Sequence, residues 1–291
     1  MSGTSVVGVD FSGAREPGES VWIAETTPDG DDLRVDRCRS ARTALGASER
    51  ADVLGSLVEY VDGHDVVGLD FPFGLPRPVT EVGPGAWRET VRWVGKTFDD
   101  AEAFAEHCTA TTRRDSGGER TYVGRETDGP VGAKSPYHFF TYKQAFHGMR
   151  DVLGPLLDRG ASVAPMTGGG ATTAGTTVVE VYPAGTLRRL GLPDRRYKDA
   201  SHEARRTRET ILAGLEGSDE PATGGDGATS GPTAVPRLAV GDDATRERVL
   251  SDAGGDALDA VLAAVAAARA LDRGFEPVEE RYDPLEGYVF V

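Results

Sequence analysis

Two short segments constrain this chain more than anything else in it. Residues 6–11 read VVGVDF and residues 66–71 read VVGLDF. Each is an apolar run, a glycine, one more apolar residue, an aspartate and a phenylalanine. A short apolar run without polar alternation is what a strand buried on both faces requires. The second run starts at Asp65 and is cut off by Pro72 and Pro76, which cannot continue a central strand. Two strands of this kind that both end on Asp predict a sheet with a pair of carboxylates at one edge.

The surrounding pattern supplies the rest of a mixed sheet. Residues 20–26 (SVWIAET) alternate, and the turn PDGDD leads to a further strand at 33–39 (LRVDRCR). Asp-Gly between two such runs is a hairpin signal. Residues 48–60 have helical apolar spacing, and so do 85–108, 142–157 and 201–215. Residues 109–138 read as a long loop, and 162–166 as extended. The segment 167–175 (TGGGATTAG) reads as flexible. Residues 177–184 (TVVEVYPA) form a strand ended by Pro183, and 186–190 a short helix. An alanine-rich helix is expected at 256–271 and an edge strand at 287–291. Three meandering strands followed by alternating helices and strands predict an α/β protein, with a mixed central sheet flanked by helices. The reading is one domain over residues 1–291, with a flexible polar insertion at about 217–245.

Composition excludes some functions and leaves others open. No run reaches the roughly 20 apolar residues of a membrane span, so no membrane partner is expected. The start of the chain has no basic region ahead of an apolar stretch, and reads as a strand rather than a secretory signal. Cys38 and Cys108 stand far apart without a CxxC partner, against a disulfide framework or a zinc site. A reducing cytoplasm is the simplest home. The formal net charge is −15, which by itself argues against phosphate binding. However, lysine occurs only at Lys96, Lys134, Lys143 and Lys198 while Asp is abundant, a composition similar to that of proteins from salt-loving archaea. In concentrated salt long-range fields are screened within a few ångströms, so net charge is neutral evidence about nucleic acid. No protein partner can be inferred.

The chemistry-bearing candidates are acids. Asp10 ends the first strand and Asp70 the fourth. If these strands are adjacent and parallel, both carboxylates emerge at the edge where α/β sheets bind ligands. Close carboxylates repel, and a divalent cation between them resolves the conflict. Alternatively, each Asp caps a turn. Asp256 and Asp259 share a helix face in GGDALDAVLAAVAAARA; Asp256 also suits an N-cap, and Asp259 a first-turn acid favoured by the helix dipole. Glu180 lies mid-strand between Val179 and Val181, as a metal ligand, a general base or a residue on an uncovered face. Among weaker candidates, the glycines at 168–170 lack a phosphate-loop frame. The five histidines lack metal-ligand spacing, and Ser12 and Ser135 lack the setting of an activated nucleophile.

The set GVDFSGA, GLDFPFGLP, VVEVYPAGTLRRLGL, YK and GGDALDAVLAA resembles the family called domain of unknown function 429, whose members are described as predicted ribonuclease H-like nucleases. The resemblance runs in the same order from Val6 to about Arg269 and leaves out 217–245. The acids at 10, 70, 256 and 259 also look like those of Holliday-junction resolvases of that superfold, with Asp at position 70 where Glu is usual. The resemblance implies a ribonuclease H-like fold and two-metal phosphodiester hydrolysis with Mg²⁺ or Mn²⁺. In that reading Asp10 bridges the ions, Asp70 holds one and Asp256 or Asp259 the other, and Glu180 borders the site. Lys198 and Arg188 or Arg189 contact phosphate, or lie on a solvated face. The competing readings are an ATP-binding phosphotransferase-like protein, for which GVDFSGA resembles a first phosphate loop, and an inactive binding or regulatory protein of the same fold.

Overall fold

The two echoing segments become neighbours. In the computed structural model, which describes residues 3–30, 32–80, 87–167, 175–217 and 237–291, β1 (Val6–Asp10) and β4 (Val66–Asp70) pair in parallel. Val6 lies opposite Val66, Gly8 opposite Gly68 and Asp10 opposite Asp70. Both strands are buried almost throughout, which is why neither alternates.

The expected meander is present. β2 (Trp22–Asp29) pairs antiparallel with β1 and with β3 (Asp32–Ser40). Beyond β4 lies β6 (Thr177–Val181), whose first half pairs with β5 (Ser162–Ala164) and whose end pairs with β8 (Val289–Phe290). On the other edge β7 (Arg237–Val240) pairs with β3. The order is β5-β6-β4-β1-β2-β3-β7, and among the described residues β2 alone runs against the rest.

Helices cover both faces. Along β1 the side chains alternate between two cores. Val7, Val9 and Phe11 face one of them, with Val67 and Leu69 beside them. It is closed by α1 (Ala41–Leu45), α2 (Arg50–Val61), α3 (Trp87–Thr97), α4 (Ala101–Asp115), α6 (Tyr142–His147) and α7 (Gly154–Asp158). A short α5 (Asp128–Val131) follows α4 in the chain. Val6, Val66, Val179 and Val181 face the other core, closed by α8 (Pro183–Arg189), α9 (His202–Leu215), α10 (Asp243–Ser251) and α11 (Asp256–Asp272).

The alanine run of α11 has a steric cause. A Cβ built on Gly8 would lie 2.1 Å from the Ala260 carbonyl oxygen and 2.2 Å from the Ala264 nitrogen. One on Gly68 would lie 2.6 Å from the Ala263 oxygen. The helix backbone therefore rests directly on the two strands, and large side chains on either partner would lift it off. Every residue from Ala257 to Ala270 is buried, because the sheet takes one side of the helix while α8 and α10 pack on others.

Several elements differ from the sequence reading. The helix expected at 85–108 is two helices; Asp100 breaks it and caps α4, accepting from the Ala103 N–H at 2.8 Å. The loop expected at 109–138 begins inside α4, where Thr111 and Thr112 are buried, and contains α5. The helix at 142–157 carries a π turn at Gly148–Leu153. The α geometry resumes at Gly154 with Pro155 in the first turn of α7, so the helix runs on to Asp158. The insertion expected at 217–245 ends early: Leu238 is buried in β7, and Asp242 caps α10 by accepting from Thr245 N–H at 2.6 Å. The glycines at 168–170 lie outside the described residues. Cys38 and Cys108 are both free and buried. No helix among the described residues is long and apolar enough to cross a membrane.

Candidate functional site

Positions 6, 8 and 10 of β1 share a sheet face with 66, 68 and 70 of β4, and this is the face that α11 covers. Asp10 and Asp70 are therefore side by side at the carboxyl ends of adjacent parallel strands, beneath the first turn of α11. Gly8 and Gly68 let the following turns of the helix, at Ala260, Ala263, Ala264 and Ala267, lie close against the strands. Asp10 is 7% exposed and Asp259 2%.

The start of α11 frees its acids for this cluster. Asp256 is not the N-cap: Gly255 is, in the left-handed region at φ 75°. The Ala257 N–H donates instead to Asp252 Oδ2 at 3.0 Å. A Cβ on Gly255 would lie 3.0 Å from Lys198 Cγ and 3.1 Å from the Tyr197 ring, so glycine also lets residues 197–198 close over the helix start. Arg208 of α9 fixes that segment, donating Nη1 to the Tyr197 carbonyl at 2.5 Å and Nε to that of Leu250 at 2.9 Å. Tyr197 then donates its hydroxyl to Asp259 Oδ1 at 2.9 Å. The Lys198 ammonium forms an ion pair with Asp259 Oδ2, with 48% of its side chain still in solvent.

The electrostatics show a shared field. Burial, then the charges of Asp259, Asp70 and Asp256, push Asp10 well above the ordinary carboxylate range. Burial and Asp259 do the same to Asp70. Burial raises Asp259 and takes Asp256 up to about 6. Lys198 opposes the rise at all four, and its own affinity for the proton is raised by Asp259 and Asp10 against the cost of burial. Four acids that cannot all ionise without a cation are thus gathered around one ammonium group.

Among the described residues, no group of three or more His, Cys, Asp or Glu side chains stands in ligand geometry. The positive charge at the cluster is Lys198. That ammonium is a stand-in cation, and the oxygen-only donors around it suit Mg²⁺ or Mn²⁺ rather than a soft metal. A cavity of about 110 Å³ lies beside Asp70, lined also by Lys134, Gln144 and Tyr182. A cavity of about 870 Å³ lies against α2 and touches none of these acids.

Glu180 lines the cavity beside Asp70 but is held by other partners, and Arg188 and Arg189 lie elsewhere. Glu180 pairs in register with Leu69, not Asp70, so its side chain leaves the opposite face of the sheet. There Arg125 grips it, Nη1 to Oε2 at 2.7 Å and Nη2 to Oε1 at 2.5 Å, and the Phe73 N–H donates to Oε2 at 2.9 Å. Arg125 is also paired with buried Asp128 at 2.7 Å. Glu180 is a buried structural acid whose charge still reaches Asp70. Arg188 is committed to Asp194 at 2.7 Å and to the Val131 carbonyl at 2.6 Å. Arg189 lies beside Arg269, toward the other end of α11. Tyr197, Arg208 and Arg125 were not legible as partners, because each acts across a long sequence separation. The YK pair at 197–198 was the available signal.

Residues 154–280 match the family model described as protein of unknown function (DUF429). The match supports the resemblance over that stretch, which holds Glu180, Lys198, Asp256 and Asp259. It runs through the polar segment at 217–245 rather than omitting it. Asp10 and Asp70, on β1 and β4, lie ahead of the matched stretch. No curated protein and no solved structure matches the chain.

Proposed function

We propose that this chain is a divalent-metal-dependent nuclease, or a related phosphodiesterase, of ribonuclease H-like fold. The observation that carries the reading is the register pair Asp10 and Asp70 beneath Asp259. Asp10, Asp70 and Asp259 or Asp256 would hold Mg²⁺ or Mn²⁺. When bound, such ions supply an activated water and neutralise the leaving 3′-oxygen of a phosphodiester. The protein's own contribution is to hold the buried carboxylates of Asp10 and Asp259 and the half-buried one of Asp70 ready beneath α11. Tyr197 orients Asp259 by its hydrogen bond. Lys198, half in solvent, would face the substrate phosphate once Asp259 engages a metal.

A nucleic-acid substrate is supported by one further feature. Phe139 and Phe140 are 59% and 70% exposed, with ring centroids 3.8 Å apart. They follow Lys134 and precede Thr141, both of which line the cavity beside Asp70. Exposed rings of this kind stack unpaired bases.

The test is a panel of DNA, RNA and branched substrates in concentrated KCl with Mg²⁺ or Mn²⁺, comparing wild type with Asp10→Asn. The reading expects metal-dependent cleavage that falls about 100-fold or more in the variant. Equal cleavage by both proteins, or none by wild type, would contradict it. A second reading, an inactive binding protein of the same fold, is favoured by Lys198 already supplying a cation. It expects wild type to bind substrate without cleaving it.

A further inference from the structure

Toward the other end of α11 from the acids, arginines gather without ion-pair partners among the described residues. Arg269 follows Asp259 by about 15 Å along the helix axis. It is 9% exposed, and its Nε and Nη1 are buried with no hydrogen-bond partner. Together with Arg189, Arg273 and Arg281 it lines a cavity of about 30 Å³ walled by Tyr288. Arg281 lies 5.2 Å over the Tyr288 ring and donates Nη2 to the Val289 carbonyl at 3.0 Å, yet its Nε is also buried and unpartnered. Glu276 is the acid on the cavity wall. Among the described residues no carboxylate lies within 4.0 Å of any of the four guanidinium groups as an ion pair.

This arrangement is costly as it stands. A buried guanidinium with idle donors has lost water and gained nothing. Burial, and the charges of Arg189 and Arg273, pull Arg269 below the ordinary guanidinium value against Asp272. Burial and the same two arginines lower Arg281, against Tyr288. In a chain of net charge −15, acids to pair these groups are abundant, but among the described residues none does so.

We infer that this cavity is an anion site that takes a compact, doubly charged oxyanion of the phosphate class. Idle Nε and Nη donors from two arginines, with two more guanidinium groups at the rim, match the several acceptor oxygens of a phosphate group. At about 30 Å³ the cavity admits oxygens of the phosphate, while the rest of the group and any attached nucleoside stay at the rim. The site is separate from the carboxylate cluster and does not depend on the nuclease reading.

The test is calorimetric titration and thermal unfolding of the full chain in potassium phosphate, against KCl of equal ionic strength. Saturable binding is expected, with Tm rising with the logarithm of phosphate concentration beyond the KCl control. Arg269→Met is expected to bind phosphate about tenfold or more weakly, while its Tm without phosphate equals or exceeds that of wild type. Arg189→Ala changes an exposed side chain, so it is expected to weaken binding with Tm unchanged, and it decides the matter if Arg269→Met fails to fold. Adenosine monophosphate in a parallel titration separates the sources: tighter binding than phosphate assigns a nucleotide's terminal group, and equal or weaker binding assigns the free ion. Absence of saturable phosphate binding by wild type, or binding by Arg189→Ala and the folded Arg269→Met equal to wild type, would overturn the inference.

Discussion

At the residue scale the account turns on Asp10 and its neighbours. Burial and like charges raise its folded pKa, so in the folded state it resists giving up its proton. Its contribution to stability is therefore full below the ordinary carboxylate range and is lost as pH rises through the folded value. Asp10→Asn is accordingly expected to melt higher than wild type at neutral pH in a chelator, with the advantage shrinking below about pH 4. A lower melting temperature at neutral pH would contradict the cluster's electrostatics. Lys198→Met should do the reverse. It removes the cation that opposes all four raised pKa values, so Tm should fall in chelator and recover on adding Mn²⁺; a Tm unaffected by either change would show that the ammonium does not neutralise the cluster. Asp10 and Asp70 were legible because two copies of one pattern flagged them. Glu180, expected to border the site, does line the cavity beside Asp70, but the face it takes was not readable: strand parity needs the register, and a shift of one residue puts a side chain on the other face. Its charge is matched by Arg125, whose pairing no local pattern announces. Glu180→Gln is expected to cost about 3–5 kcal/mol of stability by leaving Arg125 less paired, measured by denaturant unfolding, without loss of metal binding.

At the scale of elements, most strands and helices followed from periodicity, since each buries one face or both. The exceptions arose where a cap outweighed the period, as at Asp100, or where low-complexity composition hid a short strand, as at β7. Seating α11 on the sheet depends on glycine in β1 and β4, and this is a tertiary requirement that the sequence displays only as a repeated Gly. Gly8→Ala places a methyl 2.1 Å from a backbone oxygen and is expected to cost about 3 kcal/mol or more. Gly55, inside α2 with open space around its Cβ position, serves as the control: Gly55→Ala should stabilise by about 0.5–1 kcal/mol. Equal effects in the two variants, read from urea unfolding midpoints, would mean that α11 does not rest on the sheet as described.

At the scale of the whole molecule, charge is unevenly spent. A net charge of −15 disfavours the compact state by self-repulsion, so Tm is expected to rise with KCl as screening grows. A Tm that falls with salt would show that surface ion pairs outweigh that repulsion. Within this acidic envelope two sites gather opposite charges, acids under one end of α11 and arginines toward the other. The first was foreseen from the sequence, since its members recur in a pattern. The second was not, because Arg189, Arg269, Arg273 and Arg281 come from four places with no common motif. The central claim is that Asp10, Asp70 and Asp259 form a divalent-metal centre. It is tested most directly by calorimetric titration of Mn²⁺ into wild type, Asp10→Asn and Glu180→Gln. The account predicts saturable binding by wild type and by Glu180→Gln, and loss of binding in Asp10→Asn. Wild type that binds no Mn²⁺, or Asp10→Asn that binds it as wild type does, would contradict it.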